Sequence, residues 1–155
     1  MLENFLADFY DPFPSTAWET ALARLLVAAA LGGLIGWERE SHEKPAGLRT
    51  HMMISLAACL FTLLGLEMVE YDALEVDHVR ADPMRLIDAV TAGVAFLAAG
   101  SIITSGGSVK GLTTGASMWM VGAVGVACGL GEVLLGGFAV VITLIVLFIL
   151  GRLQM

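Results

Sequence analysis

The sequence has little charge and no excess of basic residues, and each shortage excludes a class of protein. Only 15% of the 155 residues are charged, and 15 acidic residues outnumber 8 basic ones, for a formal net charge of -7. A nucleic-acid partner is therefore excluded, because binding to phosphates needs a basic face.

The two cysteines, Cys59 and Cys128, stand in apolar runs without a partner at metal or redox spacing. We expect inert buried thiols and no metal or cofactor.

Hydrophobic residues, by contrast, make up 57% of the chain. A soluble domain of this size cannot hide so much apolar side chain, because its surface stays large relative to its volume. The chain is therefore predicted to be an all-α integral membrane protein. Its start lacks the basic stretch of a cleavable signal peptide, so the first apolar span is expected to act as its own insertion signal.

Five transmembrane helices are predicted from apolar runs and helix-start signals. Thr16 and Glu19 form a capping-box pattern, and Asp82 followed by Pro83 is a strong helix start. Residues 1–14 are predicted to be an interfacial segment ahead of a transmembrane domain over residues 15–155. The predicted helices cover about residues 17–37, 45 or 48–69, 83–104, 113–130 and 133–150.

Basic residues predict how the five spans are oriented. Those assigned to one side of the membrane are Arg39, Lys44, Arg49, Lys110 and Arg152, whereas Arg80 and Arg85 lie on the other. By the positive-inside rule, the first and third loops and the C-terminus are cytoplasmic and the N-terminus is outside.

Two charges fall inside predicted spans. Arg24 in helix 1 and Asp88 in helix 3 lie at similar depth from the same side, each on a face of small residues, so we predict an ion pair between them. Arg85, one turn before Asp88, is a competing partner, and Arg24 has the alternative of snorkelling to the interface. Such a pair either stabilises the structure or takes part in the function of the protein.

Glycines at four-residue spacing mark two helices for close packing. Gly32 and Gly36 lie on helix 1, and Gly125 and Gly129 on helix 4. Small residues let helix backbones approach closely in lipid. These faces suggest a homodimer, with Gly36 and Gly129 as positions for crosslinking, whereas helix 5 is expected to face lipid.

Several motifs in a fixed order resemble the membrane domain of the MgtC/SapB family. They are Gly33-Leu-Ile-Gly-Trp-Glu-Arg-Glu40, Lys44-Pro-Ala-Gly-Leu-Arg-Thr-His51, Asp82-Pro-Met-Arg-Leu86, Gly93-Val-Ala-Phe-Leu-Ala-Ala-Gly-Ser-Ile102 and Val109-Lys-Gly-Leu-Thr-Thr-Gly-Ala-Ser-Met-Trp119. The resemblance covers about residues 17–150. Matching positions include Glu38, Arg39, Glu40, Lys44, Arg49, Asp88, Lys110, Thr113 and Thr114.

This resemblance implies a bacterial inner-membrane protein with a role under magnesium limitation and other stress. Virulence-associated members continue into a soluble C-terminal domain, whereas this sequence stops at Met155. A general stress or ion-homeostasis role is therefore the safer expectation.

The predicted cytoplasmic motif offers three interpretations. Its three carboxylates are oxygen donors suited to magnesium, but an equal number of basic residues interleaves with them and weakens the attraction for a cation. The set is Glu38, Glu40, Glu43, Arg39, Lys44 and Arg49. An ionic network that joins helices 1 and 2 to the glycine-rich loop is favoured over a partner-docking surface, and both over a metal site.

Two functions remain open from the sequence. The first is a membrane protein that regulates other machinery, such as ATP synthase or ion transporters, by docking to transmembrane helices. The second is a transporter or channel for magnesium, potassium or protons, in which Arg24 and Asp88 form the gate or relay.

Overall fold

The structure is a computed structural model that describes residues 16–74, 82–105 and 108–153. Within these ranges it contains five helices and one short hairpin. They are α1 (Trp18–Ser41), α2 (Leu48–Leu74), α3 (Pro83–Gly100), β1 (Ile103–Ser105), β2 (Ser108–Lys110), α4 (Leu112–Leu130) and α5 (Val133–Leu153). The predicted mainly helical fold with five helices is confirmed, and the predicted segment over residues 1–14 lies outside the described residues.

Helix starts agree with the sequence at one of the two predicted caps. Asp82 is the N-cap of α3, with its carboxylate accepting a hydrogen bond from the Met84 backbone N–H at 3.0 Å and Pro83 in the first turn. The N-cap of α1 is Ala17, one residue after the predicted Thr16, and the Ala17 side chain makes no capping hydrogen bond. A carboxylate three residues beyond a threonine therefore did not suffice to place the cap.

Two helix ends differ from the prediction. Helix α1 continues four residues past Trp37 to Ser41, so Glu38, Arg39 and Glu40 are helical. Helix α3 ends at Gly100 rather than near Thr104, and the glycine-rich connection to α4 is a β-hairpin in which Thr104 pairs with Val109. Gly111 ends the hairpin at φ 88°, a left-handed conformation that favours glycine.

The core of the fold is the three-helix group formed by α1, α2 and α4, which pack against one another. Its most buried apolar residues are mostly small or branched: Ala28, Ile35, Cys59, Val121 and Val124 are at most 1% exposed. Such side chains let the helix axes come close. Helix α3 lies against α4 and α2, and α5 against α4 and α1.

Large apolar side chains cover the outside of the molecule. On α5, Leu134 and Phe138 are 78% and 65% exposed, and Phe96 on α3 is 81% exposed. Among the described residues, three helices are long and apolar enough to cross a membrane: Trp18–Ser41, Leu48–Val69 and Leu112–Leu130. An apolar surface of this extent fits lipid and not water.

Candidate functional site

The loop between α1 and α2 is organised by charges at the end of α1. Arg39 is buried, and its guanidinium forms a two-point ion pair with the carboxylate of the preceding residue, Glu38, with N–O distances of 2.5 and 2.8 Å. The exposed His42 ring contacts the same carboxylate at 3.3 Å. The positive charge of Arg39 is therefore balanced within α1.

Glu40 links α1 to α2. Its Oε2 accepts a hydrogen bond from the Leu48 backbone N–H at 2.7 Å, so a carboxylate of one helix caps the N-terminus of the next. Gly47 makes room for this contact, since a Cβ there would lie 2.7 Å from Oε2 of Glu40. The connection between α1 and α2 thus depends on one acidic side chain and one glycine.

The other motif residues do not join this arrangement. Lys44, Arg49, Lys110 and Thr113 are exposed, and none of their side chains forms an ion pair within the part of the chain that the structure describes. The predicted tie to the glycine-rich loop is therefore not made through Lys110. Thr114, by contrast, is 2% exposed and belongs to a buried polar cluster.

That cluster centres on His51, the last residue of the motif Lys44–His51, to which the sequence assigned no role. The His51 ring is fully buried, with Nδ1 2.8 Å from the Gly47 carbonyl oxygen and Nε2 3.0 Å from the Ser117 hydroxyl. A carbonyl only accepts, so Nδ1 carries the hydrogen. The Ser117 hydroxyl also lies 2.9 Å from the Thr114 carbonyl oxygen, so its single hydrogen serves Nε2 when the imidazole is neutral and Thr114 when it is charged.

Ser55 continues the polar row one turn further along α2. It is fully buried, and its hydroxyl has no hydrogen-bond partner among the described residues. Gly32 of α1 and Gly125 of α4 both pack against it, so a Cβ at Gly32 would lie 2.7 Å from the Ser55 Cβ. The spacing of His51, Ser55 and Cys59 by four residues was the available signal for this row, because it places all three on one helix face.

All four glycines predicted to pack helices do so within one chain. Gly36 faces the start of α2, where a Cβ would lie 2.8 Å from the Leu48 Cα. Gly129 faces Thr62, with a corresponding distance of 2.5 Å. These glycines are buried against α2, so they are not free to form the surface of a homodimer.

The predicted ion pair between Arg24 and Asp88 does not form. Arg24 Nη1 instead donates a hydrogen bond to the Gly129 carbonyl oxygen at 2.8 Å. Asp88 is exposed on α3, a helix that packs on α4 and α2. The small-residue face of α1 therefore packs on α2, whereas the face of α3 that carries Asp88 is exposed.

Arg24 caps the end of α4. The backbone N–H groups of Gly131 and Glu132 donate hydrogen bonds to the carbonyl oxygens of Cys128 and Ala127. Arg24 donates to the carbonyl oxygen of Gly129, which also lies in the last turn of α4. A cation here also interacts favourably with the negative end of the helix dipole. The intramembrane arginine is thus satisfied by backbone oxygen.

An apolar groove of about 530 Å³ opens between α2 and α3. Its walls include Met53, Phe61, Ala89 and Gly93, all apolar, and Gly93 leaves open space where a side chain would stand. Among the residues that the structure describes, no group of three or more histidines, cysteines or acidic residues could hold a metal ion.

These features define a helical membrane protein with a close-packed three-helix core and an apolar outer surface. The chain belongs to the MgtC family, whose profile matches residues 25–155.

Three relatives illustrate the similarity. The "Putative magnesium transporter YhiD" of Escherichia coli (strain K12) is 40% identical over 129 residues, which are 81% of this chain and 58% of that protein. An uncharacterized protein of Synechocystis, slr0014, is 36% identical over 84% of this chain and 53% of its own. "Protein MgtC" of Brucella abortus (strain 2308) is 38% identical over 70% of this chain and 42% of its own. The chain spans about half the length of the curated relatives it matches, and no solved structure matches it.

Proposed function

We propose that this protein is a multi-pass protein of the bacterial inner membrane that contributes to adaptation to magnesium limitation and stress by docking to other membrane proteins. The observation that carries the proposal is the contrast between interior and surface. The buried polar row on α2 is closed by direct helix contact at Gly32 and Gly125, whereas the outward face of α5 is open and apolar. Lipid covers such a face, and a neighbouring transmembrane helix replaces that lipid where its side chains pack more closely.

The proposed topology has five spans, an external N-terminus and a cytoplasmic C-terminus. The contact between His51 and Ser117 brings the N-terminal ends of α2 and α4 to one end of the bundle. Lys44, Arg49 and Lys110 therefore lie at that end, and the positive-inside rule makes it cytoplasmic. Arg24 and the C-terminal end of α4 then lie toward the outside.

A magnesium-related role is proposed from the relative in Escherichia coli, whose printed name is putative magnesium transporter. The same name supports a second candidate, direct transport of magnesium or another cation. In that case the ion would pass along the buried polar side chains of α2, which are His51, Ser55 and Thr62, because these lie along the centre of the described core. Transport would require α2 to separate from its glycine contacts.

Flux measurements on proteoliposomes separate the two candidates. The purified full chain is reconstituted, and uptake of magnesium, potassium and protons is compared with that of Ser55→Val, which removes the unpartnered hydroxyl from the centre of the row. Docking predicts no flux by the folded protein. Flux that Ser55→Val abolishes would establish transport and refute the docking function.

A positive test of docking uses the outer face of α5. In cells that need the protein for growth at low magnesium, Phe138→Ala is expected to impair growth while the protein level stays unchanged, because Phe138 is exposed and its loss leaves the core intact. Gly137→Ala is the matched control, since a methyl group there meets nothing within 4 Å. Normal growth of the Phe138→Ala strain would argue against docking through α5.

A further inference from the structure

Helix α3 has a buried face and an opposite face that no other described residue covers. Val90, Val94 and Ala98, at steps of four residues, are 7–8% exposed and lie toward the bundle, where Val94 contacts Gly122. At 100° per residue the opposite side of the helix carries a second row. Its members are all exposed: Arg85, Asp88, Ala92, Phe96 and Ala99.

The row begins with two unpaired charges of opposite sign. Arg85 and Asp88 are one turn apart, yet within the described ranges neither side chain has a hydrogen bond or an ion pair. Asp88 lies about 7.5 Å along the helix from Pro83, at 1.5 Å per residue. A carboxylate at the edge of the hydrocarbon region is costly without a counter-charge, so this face calls for a partner that supplies one.

The rest of the row is shaped for a second helix. Arg85, Ala92 and Ala99 recur every seven residues, the spacing of a helix seam that supercoils with a neighbour. The two alanines permit a close approach of backbones, and Phe96, 81% exposed, is a knob beside them.

We propose that this face of α3 is a homodimer interface. Two copies of α3 cross in parallel about a two-fold axis along the membrane normal, with Arg85 of each copy paired to Asp88 of the other. A two-fold axis along the helices sets Arg85 of each copy one turn away from Asp88 of the other, within reach of the long arginine side chain, and the same diagonal pair then occurs twice. The inference goes beyond the proposed function, since it holds for either a docking protein or a transporter.

Charge reversal tests the reciprocal pairs. Arg85→Glu makes the face acidic and Asp88→Arg makes it basic, so each variant alone should dimerise at least about tenfold more weakly than the wild type, because like charges across an interface repel. Co-expressed with different tags, the two variants should form a heterodimer at close to wild-type strength. This rescue also shows that both variants fold.

Cysteine crosslinking in native membranes reads out the geometry. Ala92→Cys is expected to give a disulfide-linked dimer, and adding either charge reversal should reduce the linked fraction. Ala123→Cys on α4 is the matched control, because it is the same exchange at an exposed position of another helix. The native Cys59 and Cys128 are fully buried and stay in place. Crosslinking of Ala92→Cys no stronger than the control, or dimers indifferent to charge reversal, would overturn the proposal.

Discussion

Arg24 offers the sharpest test of the described packing, because the sequence and the structure assign it different partners. The structure predicts that Arg24→Met destabilises the protein by removing the bond to the Gly129 carbonyl. A hydrogen bond from a charged donor contributes about 1.5–3 kcal/mol, and a cation at a helix C-terminus adds about 0.3–1 kcal/mol. Since Arg24 is only partly buried, we expect a loss of about 2 kcal/mol in the free energy of unfolding.

The assay is reversible unfolding in mixed micelles, at a dilution where the protein is monomeric, followed by helical circular dichroism. Arg24→Lys should retain part of the stability, because lysine keeps the charge but lacks the planar fork of donors. Asp88→Asn is the control that separates the two assignments, since the exposed Asp88 carboxylate has no partner among the described residues and its removal should not lower the stability of the monomer. Equal destabilisation by Arg24→Met and Asp88→Asn would refute the capping role and restore the ion pair.

Three further substitutions, two of them with a matched control, test other contacts by the same unfolding assay. Gly125→Ala forces a methyl group against the α2 backbone and should lower the free energy of unfolding by about 2 kcal/mol or more. Its control, Gly137→Ala, has nothing within 4 Å and should be neutral or stabilise by up to about 1 kcal/mol. Equal effects of the two substitutions would argue against the tight contact. Glu40→Ala removes the cap of α2 and should lower the free energy of unfolding by about 1 kcal/mol. Glu43 is exposed, so its control substitution Glu43→Ala should change the stability little. No difference between the two variants would contradict the cap. Gly131→Ala at φ 89° should cost about 1–2 kcal/mol, and an unchanged stability would exclude the left-handed turn.

The helices were predictable because their signals are local. Apolar runs and the Asp82-Pro83 start act through neighbouring backbone groups, and the predicted ranges of α4 and α5 start within one residue of those observed. The hairpin after α3 was missed because an apolar run continues through Ile103, and run length alone does not show where a helix ends. The N-cap of α1 was placed one residue too early, at Thr16, because a capping pattern does not fix the first residue of a helix.

The functional residues were harder to predict, since each depends on which helices become neighbours. The four-residue spacing of His51 and Ser55 places both on one face of α2, but only the contact of His51 with Ser117 on α4 reveals the buried cluster. Gly36 and Gly129 were recognised as packing positions, but the sequence does not say whether the opposing helix comes from the same chain.

The sequence by itself determined the solvent and the building blocks of this protein: a chain with so few charges and such long apolar runs needs lipid around it and helices within it. The tertiary structure alone decided the partners. Arg24 was recognisable as a charge that needs an acceptor, but whether a carboxylate on α3 or a carbonyl on α4 supplies it depends on which helix lies next to α1. Helix adjacency is set by the summed packing of small residues over several turns, and no single residue encodes it.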